Sequence, residues 1–319
     1  MGKTEKKVDL FIVGAGVAGL TAGLYGSRMK LNTLILEDEL VGGQIKNAYI
    51  VENFPGFNKI KGSELIDNLE QQAMQAGAVV DEFDKVVAVT LTDNEKIVET
   101  ETAIYRPRAV IIASGAKRRE LPAAEEQKFR GNGVHYCELC DGPLYEGKTI
   151  AVVGGGNAAV GAVEFLTKYA KKIYLINRSA KLTAETLRQE KLAGYANVEI
   201  LLNSVITKIN GESVVESVDI QSIVDHQTRV LELDGVFVNI GSSPRTELFK
   251  TSIKTDLAGY IEAGETCETN IAGVYAAGDV RTKPIRQLTT AAADGTVAAL
   301  LAEKYILRQK ESEKMGAEK

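Results

Sequence analysis

The same short pattern occurs twice in this chain of 319 residues. Each copy is a strand candidate rich in apolar residues, followed at once by a glycine motif with the spacing Gly-x-Gly-x-x-Gly/Ala. The first copy is Val8–Val13 followed by Gly14–Gly19, and the second is Lys148–Val153 followed by Gly154–Ala159. A helix-like stretch and another short apolar run come after each motif. This order is typical of a parallel sheet that binds a dinucleotide, so the sequence predicts two such domains.

Each glycine of the first motif has a physical role in this interpretation. Gly14 permits the tight turn, Gly16 lets the backbone approach a pyrophosphate, and Gly19 lets the helix pack closely on the strand. The N-terminus of the following helix supplies the positive end of a dipole. Glu37 stands 23 residues after Gly14, at the end of the strand candidate Asn32–Leu36, where an acid binds a ribose hydroxyl. The motif predicts a dinucleotide site, and the alternative is an ordinary glycine-rich turn.

The second motif predicts a nucleotide site of less defined specificity. Gly154, Gly156 and Ala159 keep the spacing, with alanine allowed at the third place. The next strand candidate is Lys172–Ile176, and the position 23 residues after Gly154 is Asn177, followed by Arg178 and Ser179. These residues provide neither an acid for a ribose 2′-hydroxyl nor a basic cluster for a 2′-phosphate. The alternative is a Rossmann-like domain kept as a scaffold with little or no use of a nucleotide.

We predict an α/β fold of two Rossmann-like dinucleotide-binding domains, each three-layered, with parallel sheets and antiparallel additions. Two apolar runs that end in glycine, Ala109–Ala113 and Gly235–Ile240, pass the chain between the domains. The second domain, residues 117–247, is therefore inserted into the first, residues 1–116 and 248–319. Further short apolar runs are predicted to form the antiparallel additions: Val86–Leu91, Ile97–Thr102, Glu199–Leu202, Val214–Ile220 and Val230–Leu233.

The chain after the inserted domain contains three further features. The segment from Val274 is predicted to be a strand that brings the Asp279 carboxylate to its C-terminal end. The alanine-rich stretch Thr289–Glu303 is predicted to be helical. The charged tail Gln309–Lys319 lacks an apolar period, so it is predicted to fray.

Composition excludes several classes of protein. The net charge of −5 and the pI near 5.4 have the wrong sign for a nucleic-acid binder that neutralises phosphates. No apolar stretch approaches the ~20 residues of a membrane span. The first ten residues lack a signal-peptide cleavage pattern, so we expect a cytoplasmic protein without membrane or nucleic-acid partners. Three cysteines are too few for a disulfide-stapled secreted scaffold.

Two of the three cysteines, Cys137 and Cys140, form a Cys-x-x-Cys motif that can close a disulfide and take up two electrons. Asp141, next to Cys140, is a candidate acid/base for the thiolate that attacks or leaves. The alternatives are an inert thiol pair or a zinc site completed by His135 and Asp141, although no second cysteine pair exists. We expect no metal, a packing or surface role for His135, and a structural role for Cys267.

These motifs together resemble the low-molecular-weight thioredoxin reductases, and the match spans nearly the whole chain. Glutathione-reductase-type flavoenzymes, by contrast, carry their cysteines in the first domain. The matching segments are Gly14–Gly19, Gly42–Gln44, Glu52–Gly56, Cys137–Gly142, Gly278–Val280 and Arg286–Gln287.

The resemblance implies an FAD-dependent homodimer that passes electrons through a Cys137/Cys140 disulfide to thioredoxin or a similar protein. The first glycine motif and Glu37 would hold the adenosine half of FAD, and the later residues would surround the flavin and its ribityl chain. The flavin-site residues it implies are Gly14, Gly16, Gly19, Glu37, Gly43, Gln44, Asn53, Asp279, Arg286 and Gln287. Gly154, Gly156, Ala159 and Arg178 would contact a nicotinamide nucleotide.

The chain departs from this family at the second nucleotide site. The family marks NADPH with His-Arg-Arg-x-x-x-Arg, where this chain has Asn177, Arg178, Ser179 and then Thr183. Each lost charge-assisted hydrogen bond is worth roughly 1.5–3 kcal/mol, so NADPH is expected to bind weakly. NADPH, NADH and ferredoxin therefore stay open as electron donors. The hypothesis of another class is a non-catalytic flavoprotein or nucleotide sensor with a regulatory disulfide.

Overall fold

The computed structural model describes residues 3–48 and 50–317, and it divides into two compact units. Unit 1 comprises Met1–Lys117 and Ser243–Lys319, and unit 2 comprises Arg118–Ser242. The short strands β7 (Ala116–Arg118) and β16 (Ser242–Pro244) occupy the two places where the chain passes from one unit to the other. Within the described residues, no helix combines the length and the apolar character that a membrane span requires.

Unit 1 is built on a seven-stranded sheet in the order β3-β2-β1-β6-β5-β4, with a seventh strand, β17, also paired to β6. Strands β1, β2, β3, β6 and β17 pair in parallel, whereas β4 and β5 are antiparallel additions. The strands are β1 (Thr4–Val13), β2 (Thr33–Glu37), β3 (Val79–Glu82), β4 (Val86–Leu91), β5 (Lys96–Thr100), β6 (Ala103–Ile112) and β17 (Val274–Ala276). The helices are α1 (Val17–Arg28), α2 (Gly62–Gln75) and α6 (Leu288–Ala317).

The uninterrupted apolar run at the end of β1 is explained by burial on both faces of the sheet. Leu10 and Ile12 belong to one hydrophobic cluster, and Phe11 and Val13 belong to another. Successive side chains of a strand point to opposite faces, so a strand covered on both sides needs apolar residues at every position. This packing fixes the C-terminal end of β1, where the first glycine motif begins.

Unit 2 repeats this arrangement around a five-stranded parallel sheet in the order β11-β10-β9-β15-β8. Residues 150 and 152 pack in one cluster and residues 151 and 153 in another. The sheet strands are β8 (Val134–His135), β9 (Thr149–Val153), β10 (Lys172–Ile176), β11 (Val198–Leu201) and β15 (Gly235–Val238). The helices are α3 (Glu138–Asp141), α4 (Asn157–Leu166) and α5 (Thr186–Leu192). A separate antiparallel sheet contains β12 (Ser204–Asn210), β13 (Ser217–Ser222) and β14 (Thr228–Glu232).

The predicted α/β class with two Rossmann-like units is confirmed, but one strand assignment is wrong. The run Glu199–Leu202 is predicted as an antiparallel addition, but all of it except Leu202 lies in β11, which pairs in parallel with β10, with Tyr174 opposite Glu199. It follows α5, which crosses from one parallel strand to the next, so it is a regular member of the main sheet. Its short apolar pattern did not reveal this connection.

The prediction that the C-terminal tail frays is also wrong for the part that the structure describes. Helix α6 continues through Ala317, while residues 318–319 lie outside the described part. Lys310 Nζ lies 2.9 Å from Asp9 Oδ1, and Glu313 Oε1 lies 2.7 Å from an Arg108 nitrogen. Ionic contacts to β1 and β6 thus accompany the charged part of the helix, which has no apolar face of its own.

Candidate active site

The first glycine motif forms the turn between β1 and α1 in unit 1. Gly14 has φ +103°, and a Cβ there would lie 2.5 Å from the carbonyl oxygen of Ala113. A Cβ on Gly19 would lie 1.8 Å from the carbonyl oxygen of Gly14, so only glycine permits this approach of helix to turn. A Cβ on Gly16, in contrast, would meet no atom within 4 Å. Backbone atoms therefore pack closely against Gly14 and Gly19 at the two ends of the motif, whereas the space beside Gly16 at its centre is open.

The start of α1 leaves donors available beside this open space. Gly16 occupies the N-cap position and no side chain caps the helix. The first N–H groups of a helix have no partner within it, and together with the helix dipole they favour a bound anion. The backbone here fits a pyrophosphate.

Glu37 ends β2 and reaches the same turn. Its Oε2 accepts a 2.9 Å hydrogen bond from the Ala15 N–H, and its Oε1 accepts one of 3.1 Å from the Asp38 N–H. Burial, with the neighbouring Asp38 adding to it, raises the pKa of Glu37 to about 7. The structure thus brings the predicted ribose-binding acid to the glycine motif.

The remaining residues of the predicted flavin site also lie in unit 1. Gly43 opens a 3-10 turn (Gly43–Asn47), and a Cβ on it would lie 3.5 Å from the Cα of Gly16. Gln44 Nε2 donates a 2.6 Å hydrogen bond to the carbonyl oxygen of Ala116. Asn53 Nδ2 donates a 3.4 Å hydrogen bond to Gln287 Oε1, so two residues 234 positions apart meet.

Arg286 lies close to an aromatic ring and keeps one donor uncommitted. Its guanidinium carbon is 4.1 Å from the ring centroid of Tyr260, and its Nη2 donates to the carbonyl oxygen of Arg281 at 3.3 Å. Its Nε is buried and makes no hydrogen bond within the described residues. A buried donor without an acceptor is costly, which favours a polar ligand at this position.

Asp279 lies in a 3-10 turn, Gly278–Val280, and a charge cluster holds that turn. Asp294 Oδ2 accepts from the Gly278 N–H at 2.9 Å and from Lys283 Nζ at 2.8 Å, while Asp294 Oδ1 lies 2.6 Å from Arg281 Nη2. Burial alone would raise the pKa of Asp294, but hydrogen bonds from Arg281 and Lys283 outweigh it and hold the pKa below its usual range. Nothing in the local sequence pattern links Asp294 to Gly278, so this cluster is visible only in the structure.

In unit 2, the second glycine motif forms the equivalent turn between β9 and α4. A Cβ on Gly154 would lie 2.4 Å from the carbonyl oxygen of Asn239, whereas one on Gly156 would meet nothing closer than 3.7 Å. Ala159 is fully buried, and Gly156 caps α4 without a side-chain hydrogen bond. This turn therefore has the same open centre as the first.

Asn177, which follows β10, is buried and holds the adjoining loop. Its Nδ2 donates to the carbonyl oxygens of Ser179 and Lys181, each at 3.0 Å. Its Oδ1 would lie 2.5 Å from a Cβ on Gly155, so it packs against the second glycine motif. Arg178, next to it, is exposed. Asn177 thus fixes the loop around the position where an acid or a basic cluster would select the nucleotide.

The segment after this loop also contacts the second glycine motif. The Thr183 N–H donates a 2.7 Å hydrogen bond to the carbonyl oxygen of Gly155. Asn157 Nδ2 donates to Glu185 Oε1 at 3.1 Å, and the Glu185 N–H donates back to Asn157 Oδ1 at 2.8 Å. Arg188 lies within 4.0 Å of carboxylate oxygens of Glu164 and Glu185. Its charge is therefore already paired within the protein.

Cys137 and Cys140 form a disulfide in unit 2, with their Cα atoms 5.3 Å apart. Cys137 caps the short helix α3, where its Sγ accepts a 3.2 Å hydrogen bond from the Cys140 N–H. Cys140 is exposed, whereas Cys137 is half-buried. Cys267 is free and buried, and burial raises the pKa of its thiol to about 11. The pair is thus accessible for thiol–disulfide exchange, and Cys267 is not.

Asp141 follows the disulfide and contacts a histidine. Its Oδ2 lies 3.2 Å from His135 Nδ1, and His135 Nε2 lies 2.7 Å from the hydroxyl oxygen of Tyr145. His135 is buried, and each of its ring nitrogens faces a polar atom. Among the described residues, no group of three or more His, Cys, Asp or Glu side chains is placed to hold a metal ion.

Comparison with known proteins agrees with this arrangement. The model of the pyridine nucleotide-disulphide oxidoreductase family matches residues 8–295. The chain is 55% identical over 304 residues to a 34.2 kDa protein in the rubredoxin operon of Clostridium pasteurianum, covering 95% of this chain and 99% of that one. It is 40% identical over 313 residues to a thioredoxin reductase of Listeria innocua, covering 98% of each.

Solved structures give the same result. Thioredoxin reductase from Streptococcus pyogenes superposes with a TM-score of 0.90 at 34% identity, covering 95% of this chain and 99% of that one. A ferredoxin-flavin thioredoxin reductase from Clostridium acetobutylicum matches with a TM-score of 0.52 at 29% identity, covering 95% and 99%. The family implies the use of a flavin and a pyridine nucleotide, and these relatives imply thioredoxin as the substrate. With its Cys137–Cys140 disulfide, the chain belongs to the pyridine nucleotide-disulphide oxidoreductase family, among the low-molecular-weight thioredoxin reductases.

Proposed function

We propose that this protein is an FAD-dependent thioredoxin-disulfide reductase whose redox disulfide is Cys137–Cys140. The observation that carries the proposal is the disulfide itself, which leaves Cys140 exposed in a chain of this family. Bound FAD would supply two-electron chemistry between a reductant and the disulfide. The reduced cysteine pair would then reduce a disulfide of thioredoxin by thiol–disulfide exchange.

Unit 1 supplies the proposed FAD site. The open centre of the first glycine motif and the uncapped N-terminus of α1 would take the pyrophosphate, and Glu37 would take the adenosine ribose. Arg286 Nε, a buried donor without an acceptor, would meet a polar atom of the flavin half. The other residues proposed to line the site are Gly43, Gln44, Asn53, Asp279 and Gln287.

In unit 2, we assign Asp141 as the acid/base of the exchange reaction. When a thiolate of the pair attacks the thioredoxin disulfide, one S–S bond forms and another breaks, and the leaving sulfur needs a proton. Asp141 adjoins Cys140, and its backbone N–H donates a 3.1 Å hydrogen bond to the carbonyl oxygen of Cys137. The carboxyl group is thus tied to the turn that carries both sulfurs, where it can give and take that proton.

The test is anaerobic photoreduction of the purified FAD-loaded enzyme, followed by addition of oxidised thioredoxin. We expect the flavin to reoxidise as two thioredoxin thiols appear for each flavin. Cys137→Ser and Cys140→Ser should each abolish this turnover, and Cys267→Ser is the control that should retain it. A reduced flavin that no thioredoxin reoxidises would overturn the proposal. Intact turnover in the Cys137→Ser or Cys140→Ser variant would favour a sensor with a regulatory disulfide.

We further propose that NADPH is a poor electron donor and that NADH or ferredoxin serves better. Asn177 is committed to the Ser179 and Lys181 carbonyls, and Arg188 is held by two carboxylates. Only Arg178 remains as an exposed basic side chain among residues 177–179 for a 2′-phosphate. The open second glycine motif supports nucleotide binding, with Gly154, Gly156 and Ala159 forming the turn, while the ferredoxin-linked relative supports the alternative donor.

Stopped-flow mixing distinguishes these donors. Oxidised enzyme is mixed anaerobically with NADPH, NADH or reduced ferredoxin, and flavin bleaching is followed. We expect NADPH to be the slower nucleotide. Rapid bleaching by either nucleotide would exclude a strictly ferredoxin-dependent enzyme, and bleaching by ferredoxin alone would establish one.

The assembly and location complete the proposal. We propose a homodimer, as the family resemblance implies, and a cytoplasmic location, because thioredoxin-linked thiols are kept reduced there. Analytical ultracentrifugation of the FAD-loaded protein tests the homodimer, and a measured mass of a single chain would contradict it. Cell fractionation with antibody detection tests the second.

A further inference from the structure

A continuous hydrogen-bonded chain leads from the acid/base next to the disulfide into the interior of unit 2. It comprises Asp141, His135 and Tyr145, with separations of 3.2 Å and 2.7 Å between their polar atoms. The three residues come from different elements: the end of α3, the end of β8, and the 3-10 turn Gly142–Tyr145. Both ring nitrogens of His135 are therefore engaged, one on each side.

The chemistry of the three groups determines which of them donates each hydrogen bond. An ionised Asp141 can only accept, so His135 must carry its proton on Nδ1. A neutral imidazole then accepts at Nε2, and the Tyr145 hydroxyl is the donor that faces it. Burial, with the charges of Asp141 and Asp234 adding to it, raises the pKa of Tyr145, so the phenol keeps its proton.

The surroundings hold the imidazole in this orientation. His135 is 7% exposed and Tyr145 is 5% exposed. The imidazole lies 5.4 Å from the ring of Phe237, and Tyr145 packs edge-on against the same ring at 5.3 Å. The Tyr145 ring is also packed closely on β15, since a Cβ on Gly235 would lie 2.3 Å from it. Packing therefore holds the rings of His135 and Tyr145 in the orientation in which their polar atoms face each other.

We propose that His135 is a positioning residue for Asp141, and that the Tyr145 hydroxyl in turn holds the His135 ring with Nδ1 facing the Asp141 carboxylate. The proposal rests on the assignment of Asp141 and the disulfide under Proposed function. It deepens that assignment by adding two residues that lie outside the motifs carrying the family resemblance.

The proton balance is as follows. Two electrons from the enzyme's reductant break the S–S bond, giving one thiolate and one sulfur that takes the proton of Asp141. The ionised Asp141 accepts the hydrogen bond that His135 donates from Nδ1, and solvent returns a proton to Asp141, whose side chain is 27% exposed. One proton thus enters for the two electrons. The other charged groups beside this chain are Asp234, which acts on Tyr145, and Lys148, whose Nζ lies 5.3 Å from the Tyr145 ring centroid.

The experiment compares His135→Asn with His135→Leu. These side chains have nearly the same size, but only asparagine can donate to Asp141 from the position of Nδ1. The wild type and both variants are reduced with dithiothreitol, which is then removed. The rate at which each reduces thioredoxin in a single turnover is measured as a function of pH. Iodoacetamide alkylation of the reduced pair over the same pH range gives a second readout, which needs neither flavin turnover nor thioredoxin.

We expect His135→Leu to reduce thioredoxin roughly tenfold more slowly, the ratio that corresponds to one lost hydrogen bond. Its pH profile should differ from that of the wild type, because leucine removes the hydrogen-bond donor that faces the Asp141 carboxylate. His135→Asn should restore most of both effects. Identical rates and pH profiles in the wild type, the Asn variant and the Leu variant would overturn the proposal.

Tyr145→Phe is a second variant for the case in which His135→Leu does not fold. This substitution removes only the hydroxyl group and retains the packed ring. We expect an intermediate shift of the pH profile, and an unchanged profile would overturn the role of the chain. If the wild type reduces no thioredoxin, the proposed function fails, and the alkylation profiles alone then decide on His135.

Discussion

Glu37 accepts a 2.9 Å hydrogen bond at Oε2 from the backbone N–H of Ala15, the second residue of the first glycine motif. Glu37 ends β2, and Ala15 lies in the turn that follows the adjacent parallel strand, β1. The two residues are 22 positions apart in the sequence. A buried carboxyl group is thus placed on the same turn whose open side fits a pyrophosphate.

This contact predicts a pH-dependent stability of the protein without FAD. The pKa of Glu37 is raised from 4.5 to about 7, so the folded state favours the protonated form. The stability from this group is complete below pH 4.5 and is lost as the pH rises through 7, which amounts to about 3 kcal/mol. Urea unfolding of apoprotein at pH 5 and pH 8 measures it. Glu37→Gln should lack this loss, whereas Glu39→Gln, at an exposed neighbour, should retain it.

Two glycines of the first motif should respond differently to alanine. Gly19→Ala would place Cβ 1.8 Å from the Gly14 carbonyl oxygen, so we expect the apoprotein to melt at a clearly lower temperature. Gly16→Ala meets no atom within 4 Å, so its apoprotein should melt like the wild type. It should nevertheless bind FAD more weakly, since the methyl group fills the space proposed for the pyrophosphate. Calorimetry and flavin fluorescence titration provide the measurements, and wild-type FAD affinity in Gly16→Ala would contradict the proposed site.

Breaking the charge cluster at Asp294 should destabilise unit 1. Asp294→Asn leaves the buried cations of Arg281 and Lys283 without their carboxylate, a change that typically costs about 3–5 kcal/mol. Because the pKa of Asp294 is lowered in the folded protein, its contribution is present above pH 3.8 and is lost as the pH falls. Denaturant unfolding of the wild type and Asp294→Asn should show a large difference in stability at pH 7, and this difference should narrow at about pH 2, below the unfolded-state pKa. Glu313→Gln, which removes an exposed partner of Arg108, is the control that should change little.

The second nucleotide site should gain affinity for NADPH when basic residues are restored. Ser179→Arg combined with Thr183→Arg supplies two guanidinium groups at the positions where the family carries them. Each charge-assisted hydrogen bond is worth roughly 1.5–3 kcal/mol, so we expect NADPH to bind at least about tenfold more tightly while NADH changes little. Fluorescence titration measures both. Ser179→Gln with Thr183→Gln gives neutral side chains of comparable reach, and an equal gain in that control would argue against charge recognition.

Local patterns were sufficient where local physics decides the structure. The apolar runs before Gly14 and Gly154 predicted buried parallel strands, because a strand covered on both faces needs apolar side chains at every position. The Cys137/Cys140 spacing predicted a disulfide that the structure contains. Glu37 was found by counting along the chain, since a βαβ unit of near-constant length places that acid at the glycine turn.

Other features depend on residues that are far apart in sequence. The charge pattern of the tail predicts fraying, yet helix α6 continues through Ala317. Lys310 and Glu313 of this helix form ion pairs with Asp9 and Arg108. The run Glu199–Leu202 was assigned to an antiparallel addition, because its composition does not record which strand it pairs with. In both cases the deciding contact lies on another element.

The sequence by itself determined the family, the α/β class and the residues with the chemistry of a disulfide reductase, since these follow from short motifs with fixed spacing. Only the tertiary structure decided what those residues contact. In the folded protein, the Asn177 amide donates to the carbonyl oxygen of Ser179 in its own loop, and Asp294 accepts from the Gly278 N–H. His135 lies between Asp141 and Tyr145. Hydrogen bonds depend on the distance between atoms in space, and chain folding alone sets that distance for residues on different elements.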